Sequence, residues 1–271
     1  MKKKIKIGSL ELSYLENNID GLPILFIHGN SLDADLFAKQ FTDPGLENYR
    51  LIAIDMPGHG NSQRSENPEK DYSVGRYIHI LNEFLHQKKI QEVLLVGHSL
   101  GGHLCIHLAE IFTKVKGLLI TGTPPLKFPP NIGEAFLPNP VIANAFKPDL
   151  SPMELEDLTR AYLSEDSSFF DKVKATIETT DPLVRPFIGK SIGTDIVRSE
   201  VEILKNNDFP LVIFHGEHEK VVNLEYIQKQ NFNSWKNEVQ VIPGSSHLPF
   251  LENPSSFNKL LVDFVNDIEY K

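Results

Sequence analysis

Six short apolar runs with little polar alternation recur along the chain: PILFIHG (23–29), RLIAID (50–55), VLLVG (93–97), GLLIT (117–121), PLVIFHG (210–216) and EVQVIP (238–243). A strand with one face in water alternates, so runs of this kind suit strands buried on both faces. Between several of them the apolar positions switch to helical spacing, as in Val74, Tyr77, Ile78, Leu81, Phe84 and Leu85, and again in Phe257, Leu260, Leu261, Phe264 and Val265. Strands alternating with helices predict an α/β domain, its mostly parallel sheet covered on both sides. The opening MKKKIKIGSLELSYLEN has the lysines of an export signal, but its apolar residues alternate at Ile5, Ile7, Leu10, Leu12 and Tyr14. That pattern predicts an N-terminal strand or hairpin rather than a signal peptide.

The alternation breaks once, between about residues 124 and 208, where no strand pattern occurs. TPPLKFPP (123–130) stops any regular element from continuing into this region. Ser151-Pro152 then has the form of a capped helix start, with Glu154 completing a capping box. Asp181-Pro182 and Thr194-Asp195 have the form of two further starts. The expected organisation is a core domain built from residues 1–123 and 209–271, with a helical cap, 124–208, inserted into it. Of the cap's many apolar side chains, among them Phe128, Phe136, Phe146 and Phe187, some are expected to line a pocket against the core.

The stretch LLVGHSLGGHLCIHLAE (94–110) carries the chemistry. Gly97-His98-Ser99-Leu100-Gly101 is G-x-S-x-G between a buried-strand pattern and a helical one, the setting in which this motif exposes a nucleophilic serine on a sharp turn. A serine hydroxyl is a weak nucleophile and needs a histidine base, itself oriented by a carboxylate. His247, in PGSSHLPFLENP, lies between the last strand pattern and the last helix, and Glu219 follows PLVIF. The order Ser99, Glu219, His247 is nucleophile, acid, base, as α/β-hydrolase topology requires. Glu217 and Asp55 are rivals for the acid; Glu217 falls early after its strand, and Asp55 sits in a turn it can tie down itself.

Over nearly its full length the chain resembles the α/β-hydrolases. His28-Gly29-Asn30-Ser31 resembles the loop that supplies half of that family's oxyanion hole, which implies the amides of Asn30 and Leu100 as its two donors. Asp55-Met56-Pro57-Gly58-His59-Gly60 matches the family's D-x-P-G-x-G turn. More narrowly, IHGNS, SLGGH, LLITGTPP and a glutamate as the acid are similar to the metal-independent N-acyl-homoserine lactone hydrolases of this fold. The resemblance implies a quorum-sensing lactone as substrate and no cofactor; Tyr162, Phe128, Phe136 and His98 are the expected substrate contacts, His98 being also a residue expected to pack beside the elbow. The chain departs from those lactonases at His98, where they carry tryptophan, and at Leu158, which takes the place of a cap tyrosine with Tyr162 one turn later. A carboxylesterase, a carbon–carbon bond hydrolase and a slow-turnover receptor that retains the triad are the alternative readings.

Charge and composition narrow the partners. With 27 Lys plus Arg against 36 Asp plus Glu, the net charge of −9 disfavours nucleic acid. The single cysteine, Cys105, cannot form an internal disulfide, and a cytoplasmic location is expected. No apolar run approaches the roughly eighteen residues of a membrane span, so the expected partner is a small ester or lactone; the oligomeric state is left open. His103 and His107 stand four apart, a zinc-compatible spacing, but no H-E-x-x-H run accompanies them, so packing or surface roles are expected and no metal. His28 and His59 are expected to fix loops, and His215 and His218 flank the acid without replacing it.

Overall fold

In the computed structural model, which describes residues 1–195 and 198–269, the chain forms eight strands. They are β1 (Lys2–Ile7), β2 (Leu10–Glu16), β3 (Pro23–Ile27), β4 (Arg50–Ile54), β5 (Val93–His98), β6 (Val115–Thr121), β7 (Leu211–Gly216) and β8 (Gln240–Ile242). All six expected runs became β3 to β8, and the alternating N-terminus became the antiparallel hairpin β1–β2. The sheet order is β1-β2-β4-β3-β5-β6-β7-β8. From β4 through β8 across the sheet the pairing is parallel, which requires helical crossovers on both faces. The helices Val74–Gln87, Leu100–Ile111 and Pro254–Glu269 supply that cover, each through its buried apolar residues. With helices above and below, β5 and β7 are buried along their whole length, which is why their sequences do not alternate.

The strand order reverses at β3. The chain runs from β3 to β4 on one side, then returns to place β5 on the other, with Ile27 beside Gly97. At such a switch point the loops beyond the strand ends diverge and leave a crevice. The loop after β3 begins at His28, and the turn after β5 is Ser99, so both reach the same crevice.

The turn at Ser99 is held by close backbone packing. Ser99 has φ 51° and ψ −118°, a conformation unusual for a residue with a side chain. Its amide still donates to Thr121 O at 2.9 Å, which extends the β5–β6 ladder into the turn. The helix that follows lies so near β3 that a Cβ on Gly101 would stand 2.1 Å from Ile27 O. A Cβ on Gly97 would likewise lie 2.5 Å from Gly101 O.

Between β6 and β7 the described residues form helices and no strand: Ile132–Ala135, Pro152–Tyr162, Phe170–Thr179, Val184–Ile192 and Glu200–Lys205. Residues 196 and 197 of the expected cap, and the last two residues of the chain, lie outside the described residues. Ser151 caps its helix with both bonds of a capping box. Asp181 accepts from the amide of Leu183 ahead of the next helix, and its other oxygen receives the Tyr72 hydroxyl at 2.7 Å. Thr194-Asp195 is not a helix start. It follows the end of Val184–Ile192, and the Asp195 carboxylate accepts from the Gly75 amide at 3.0 Å, tying this segment to the core instead of capping a helix of its own. No described helix is long and apolar enough to cross a membrane.

Gly101→Ala is expected to destabilise the fold by about 3 kcal/mol or more, the upper range for forcing atoms into a packed interior, because the obstruction is backbone that cannot rotate away. Urea unfolding of the variant beside the parent checks this.

Candidate active site

The candidate functional side chains come from loops at the carboxyl ends of β3, β5, β7 and β8. His247 follows β8, three strand positions from β5 and therefore about 14 Å away at the usual spacing of 4.8 Å per strand. Its loop has to fold back across the ends of β7 and β6 to bring the imidazole toward Ser99. Two glycines make that path possible. A Cβ on Gly216, at the end of β7, would stand 2.0 Å from Ser246 O, and a Cβ on Gly122, after β6, would stand 2.9 Å from His247 Cε1. Gly122 also has φ +58°, the left-handed region that glycine adopts without strain.

The returning loop is pinned at three points. His247 Nδ1 is 2.9 Å from Glu219 Oε2 and 3.1 Å from Oε1, with both side chains almost wholly buried. A carboxylate only accepts, so Nδ1 carries the hydrogen and Nε2 is the basic nitrogen. The His247 carbonyl accepts from His98 Nε2 at 2.9 Å. The Ser246 amide donates to Glu252 Oε2 at 2.7 Å, while the other oxygen of Glu252 takes the amide and hydroxyl of Ser164 in the helical segment. Burial by itself raises the Glu219 carboxyl, but the His247 imidazole beside it and its hydrogen bond prevail and hold it below the ordinary carboxylate range. It stays ionised, and the Val221 amide donates to Oε1 at 2.8 Å.

The rival carboxylates are occupied elsewhere. Asp55 accepts from the amides of Ala34 and Asn61 at 2.8 and 2.9 Å, which closes its own turn. Glu217 points outward and accepts from the Gly244 amide at 2.8 Å. Neither is bonded to His247.

The loop after β3 is fixed by two neutral histidines. His28 Nε2 accepts from the Met56 amide at 3.0 Å, and His59 Nε2 accepts from the Ser31 amide at 3.2 Å, so the loop after β3 and the turn after β4 hold each other. Their rings lie 4.8 Å apart, and burial lowers both pKa values, which keeps the bare nitrogens available as acceptors. Asn30 anchors its side chain by donating from Nδ2 to Ala145 O at 2.8 Å, while its buried Oδ1 has no hydrogen-bond partner among the described residues. Leu100 opens its helix, where the amide has no intrahelical acceptor.

A cavity of about 700 Å³ adjoins this centre. It touches the elbow helix at Leu100 and His103, and is otherwise walled by apolar residues of the helical segment such as Phe136, Ile142, Phe146 and Ile192. Ser99 and His247 are not on its wall, so the cavity is a chamber beside the reacting groups and not the place where they meet. Tyr162 stacks on the His247 ring, with centroids 5.2 Å apart and planes inclined by 32°. Of the expected substrate contacts, Phe136 lies on the cavity wall, and Phe128, His98 and Tyr162 do not. Phe128 is 49% exposed and off the cavity wall, because it falls in the proline-flanked stretch that turns outward after β6. His98 is fully buried beneath the elbow and packs edge-on against His247 and Phe250, beside the elbow as its packing reading expects. Burial keeps it neutral, with Nε2 donating and Nδ1 without a partner among the described residues.

Glu252, Gly122 and Gly216 hold the His247 loop but carry no motif in the sequence; each acts through a residue that the fold alone brings near. His103 and His107 both lie against Glu200. His103 Nδ1 lies 2.8 Å from Glu200 Oε2, and His107 Nε2 lies 3.3 Å from Oε1. Among the described residues no group of three or more His, Cys, Asp or Glu side chains is placed to hold a metal ion.

The sequence matches the alpha/beta hydrolase fold family over residues 23–254. Among solved structures, the N-acyl homoserine lactonase AidH, as a serine-to-glycine mutant complexed with N-hexanoyl homoserine lactone, superposes with a TM-score of 0.92. It is 28% identical, over 99% of this chain and 98% of that one. Among characterised sequences, the non-heme chloroperoxidase CPO-A1 of Kitasatospora aureofaciens is 26% identical over 91% of this chain and 93% of its own length. The pimeloyl-acyl-carrier-protein methyl ester esterase of Wigglesworthia glossinidia brevipalpis is 26% identical over 89% and 93%.

Glu219→Ala is expected to lower ester turnover by about 10⁴, the loss typical when the acid of such a triad is neutralised. Glu217→Ala, which removes the bond to the Gly244 amide and the exposed contact with His218, is expected to stay close to the parent. Steady-state rates on an aryl ester, measured on both folded variants, check the assignment.

Proposed function

Since the chain belongs to the α/β-hydrolase family, we propose that it opens the lactone ring of N-acyl-homoserine lactones through an acyl-enzyme on Ser99. The observation that carries this reading is the pairing of a buried Glu219–His247 couple with a large apolar chamber that begins at Leu100. Its volume falls within the range of about 300–1,000 Å³ usual for small-molecule sites, and its walls suit a hydrocarbon tail rather than a charged group. The similarity to a lactonase solved with N-hexanoyl homoserine lactone supports the same substrate class.

In this mechanism His247 Nε2 takes the proton as Ser99 Oγ attacks the ring carbonyl. Glu219 holds the imidazole by Nδ1–H and stabilises the imidazolium. The amides of Asn30 and Leu100 donate to the oxyanion, each contributing on the order of 3 kcal/mol of transition-state stabilisation. Collapse breaks the ring C–O bond, and His247 returns its proton to the alkoxide, which stays tethered through the homoserine carbons. Water, deprotonated by His247, then attacks the ester on Ser99 and releases N-acyl-homoserine. The helical segment 124–208 acts as the cap over the acyl chain, and Tyr162 and Phe136 are its contacts nearest the base and the chamber. Loss of such a lactone would silence the bacterial signal it carries.

The lactone carbonyl is preferred over the amide because an ester is less stabilised by resonance and leaves as an alkoxide. Mass spectrometry of the products, beside an enzyme-free control, is expected to show N-acyl-homoserine, one water heavier than the substrate and with its amide intact. Ser99→Ala is expected to give only the control rate. Free homoserine lactone would indicate an acylase, and turnover of aryl esters without lactone opening would indicate a carboxylesterase.

A further inference from the structure

Three consecutive residues at the end of the helix Pro152–Tyr162 each meet a different part of the Glu219–His247 pair. Tyr162 stacks on the His247 ring, with centroids 5.2 Å apart. The Leu163 carbonyl accepts from Lys220 Nζ at 2.8 Å, and Lys220 is the residue after Glu219. Ser164 donates its amide and its hydroxyl to Glu252 Oε1 at 2.9 and 2.5 Å, and Glu252 Oε2 takes the amide of Ser246, the residue before His247, at 2.7 Å. Leu163 is extended, with φ −121° and ψ 156°, so the helix stops there and leaves its carbonyl for Lys220 and the next amide for Glu252.

We propose that Glu252 is a positioning residue through which the helical segment, docked on the core, sets the His247 imidazole for its work on Ser99. This rests on the reading of Glu219 and His247 as acid and base, and not on the choice of a lactone as substrate. The sheet holds the base loop at one end only, since β8 is three residues long and His247 lies beyond it. The bond from Nδ1 to Glu219 fixes one nitrogen of the ring but lets the ring pivot about it, and His98 holds the His247 carbonyl from the core side. The remaining restraints come from the other side, as Tyr162 covers a face of the ring and Glu252 holds the amide that precedes it. Each oxygen of Glu252 takes a backbone N–H, so the bridge joins main chain to main chain. A shift of residue 164 therefore passes to residue 246 and on to the imidazole.

The test follows 4-nitrophenyl acetate on the full chain, because its acyl group is too short to depend on the chamber. Glu252→Ala is expected to lower kcat per folded molecule about 10²-fold, the cost of misplacing a reacting group by about 1 Å, with KM little changed. Glu252→Gln keeps one acceptor oxygen and is expected to recover about tenfold of that loss, the size of one good hydrogen bond. Ser164→Ala removes only the hydroxyl bond and is expected to lower kcat by about fivefold in the parent. In the Glu252→Ala background it is expected to change nothing, because that hydroxyl acts on His247 through the carboxylate alone. A carboxylate that merely held the fold together would lower the thermal midpoint and leave the folded fraction with the parent's kcat. The parent's kcat in Glu252→Ala, a loss confined to KM, or a Ser164→Ala effect equal in both backgrounds overturns the proposal. If Glu252→Ala does not fold, the cycle is read with Glu252→Gln, and losses that simply multiply with those of Ser164→Ala overturn it. His247→Ala separates the two readings. Turnover abolished there but intact in Glu252→Ala leaves the acid–base pair standing and removes only the positioning role, whereas turnover unchanged in His247→Ala, or absent from the parent, overturns both.

Discussion

Everything at the site depends on how closely the elbow helix approaches β3. The Ser99 turn can hold its positive φ only because Gly97 and Gly101 let the helix backbone lie against the strand ends with no Cβ between them. That contact places the start of the helix, and with it Leu100, at the crevice left by the strand reversal at β3. It also sets the direction of the helix face that carries Leu100 and then His103 along the chamber.

A second constraint follows from strand order. His247, the candidate base, arrives from β8, at the far edge of the parallel sheet, so its loop needs both room and anchors. Room comes from Gly122 and Gly216, and the anchors are Glu219, Glu252 and His98. The histidines divide their labour by environment. Burial leaves His28, His59 and His98 neutral and bonded as fixed braces, whereas His247 is bonded through Nδ1 to a buried carboxylate. The same residue type thus serves as scaffold in three places and as a candidate base in one.

The helical segment is tied to the core by polar contacts around an apolar centre. Asp181 with Tyr72, Asp195 with Gly75, Ser164 with Glu252, and Glu200 with His103 are spread around its perimeter. Inside it, Arg185 gives its donors to the carbonyls of Lys147, Pro148 and Ile177, and burial lowers its pKa with no carboxylate in direct contact among the described residues. Directional bonds at the rim fix the segment's position, which lets the chamber wall be almost wholly apolar without losing a defined shape.

Local pattern was enough for the strands, the two long flanking helices, the Ser151 cap and the elbow, because each depends on residues within a turn or on a period of burial. It also put Ser99, Glu219 and His247 in the order this fold requires. Glu217 and Glu219 are two residues apart and look alike to any pattern; the path of the loop after β7 sends one to the Gly244 amide and the other to His247. Thr194-Asp195 has the composition of a helix start, yet a bond to Gly75, far away in the chain, takes up the carboxylate. Phe128 and Phe136 are equally apolar, but only Phe136 lies on the chamber wall. The bond from His103 to Glu200 spans 97 residues, and nothing near either one announces it. Side chains so far apart in the chain meet only when the sheet order and the helical segment between β6 and β7 bring them together, so tertiary structure alone decides those contacts.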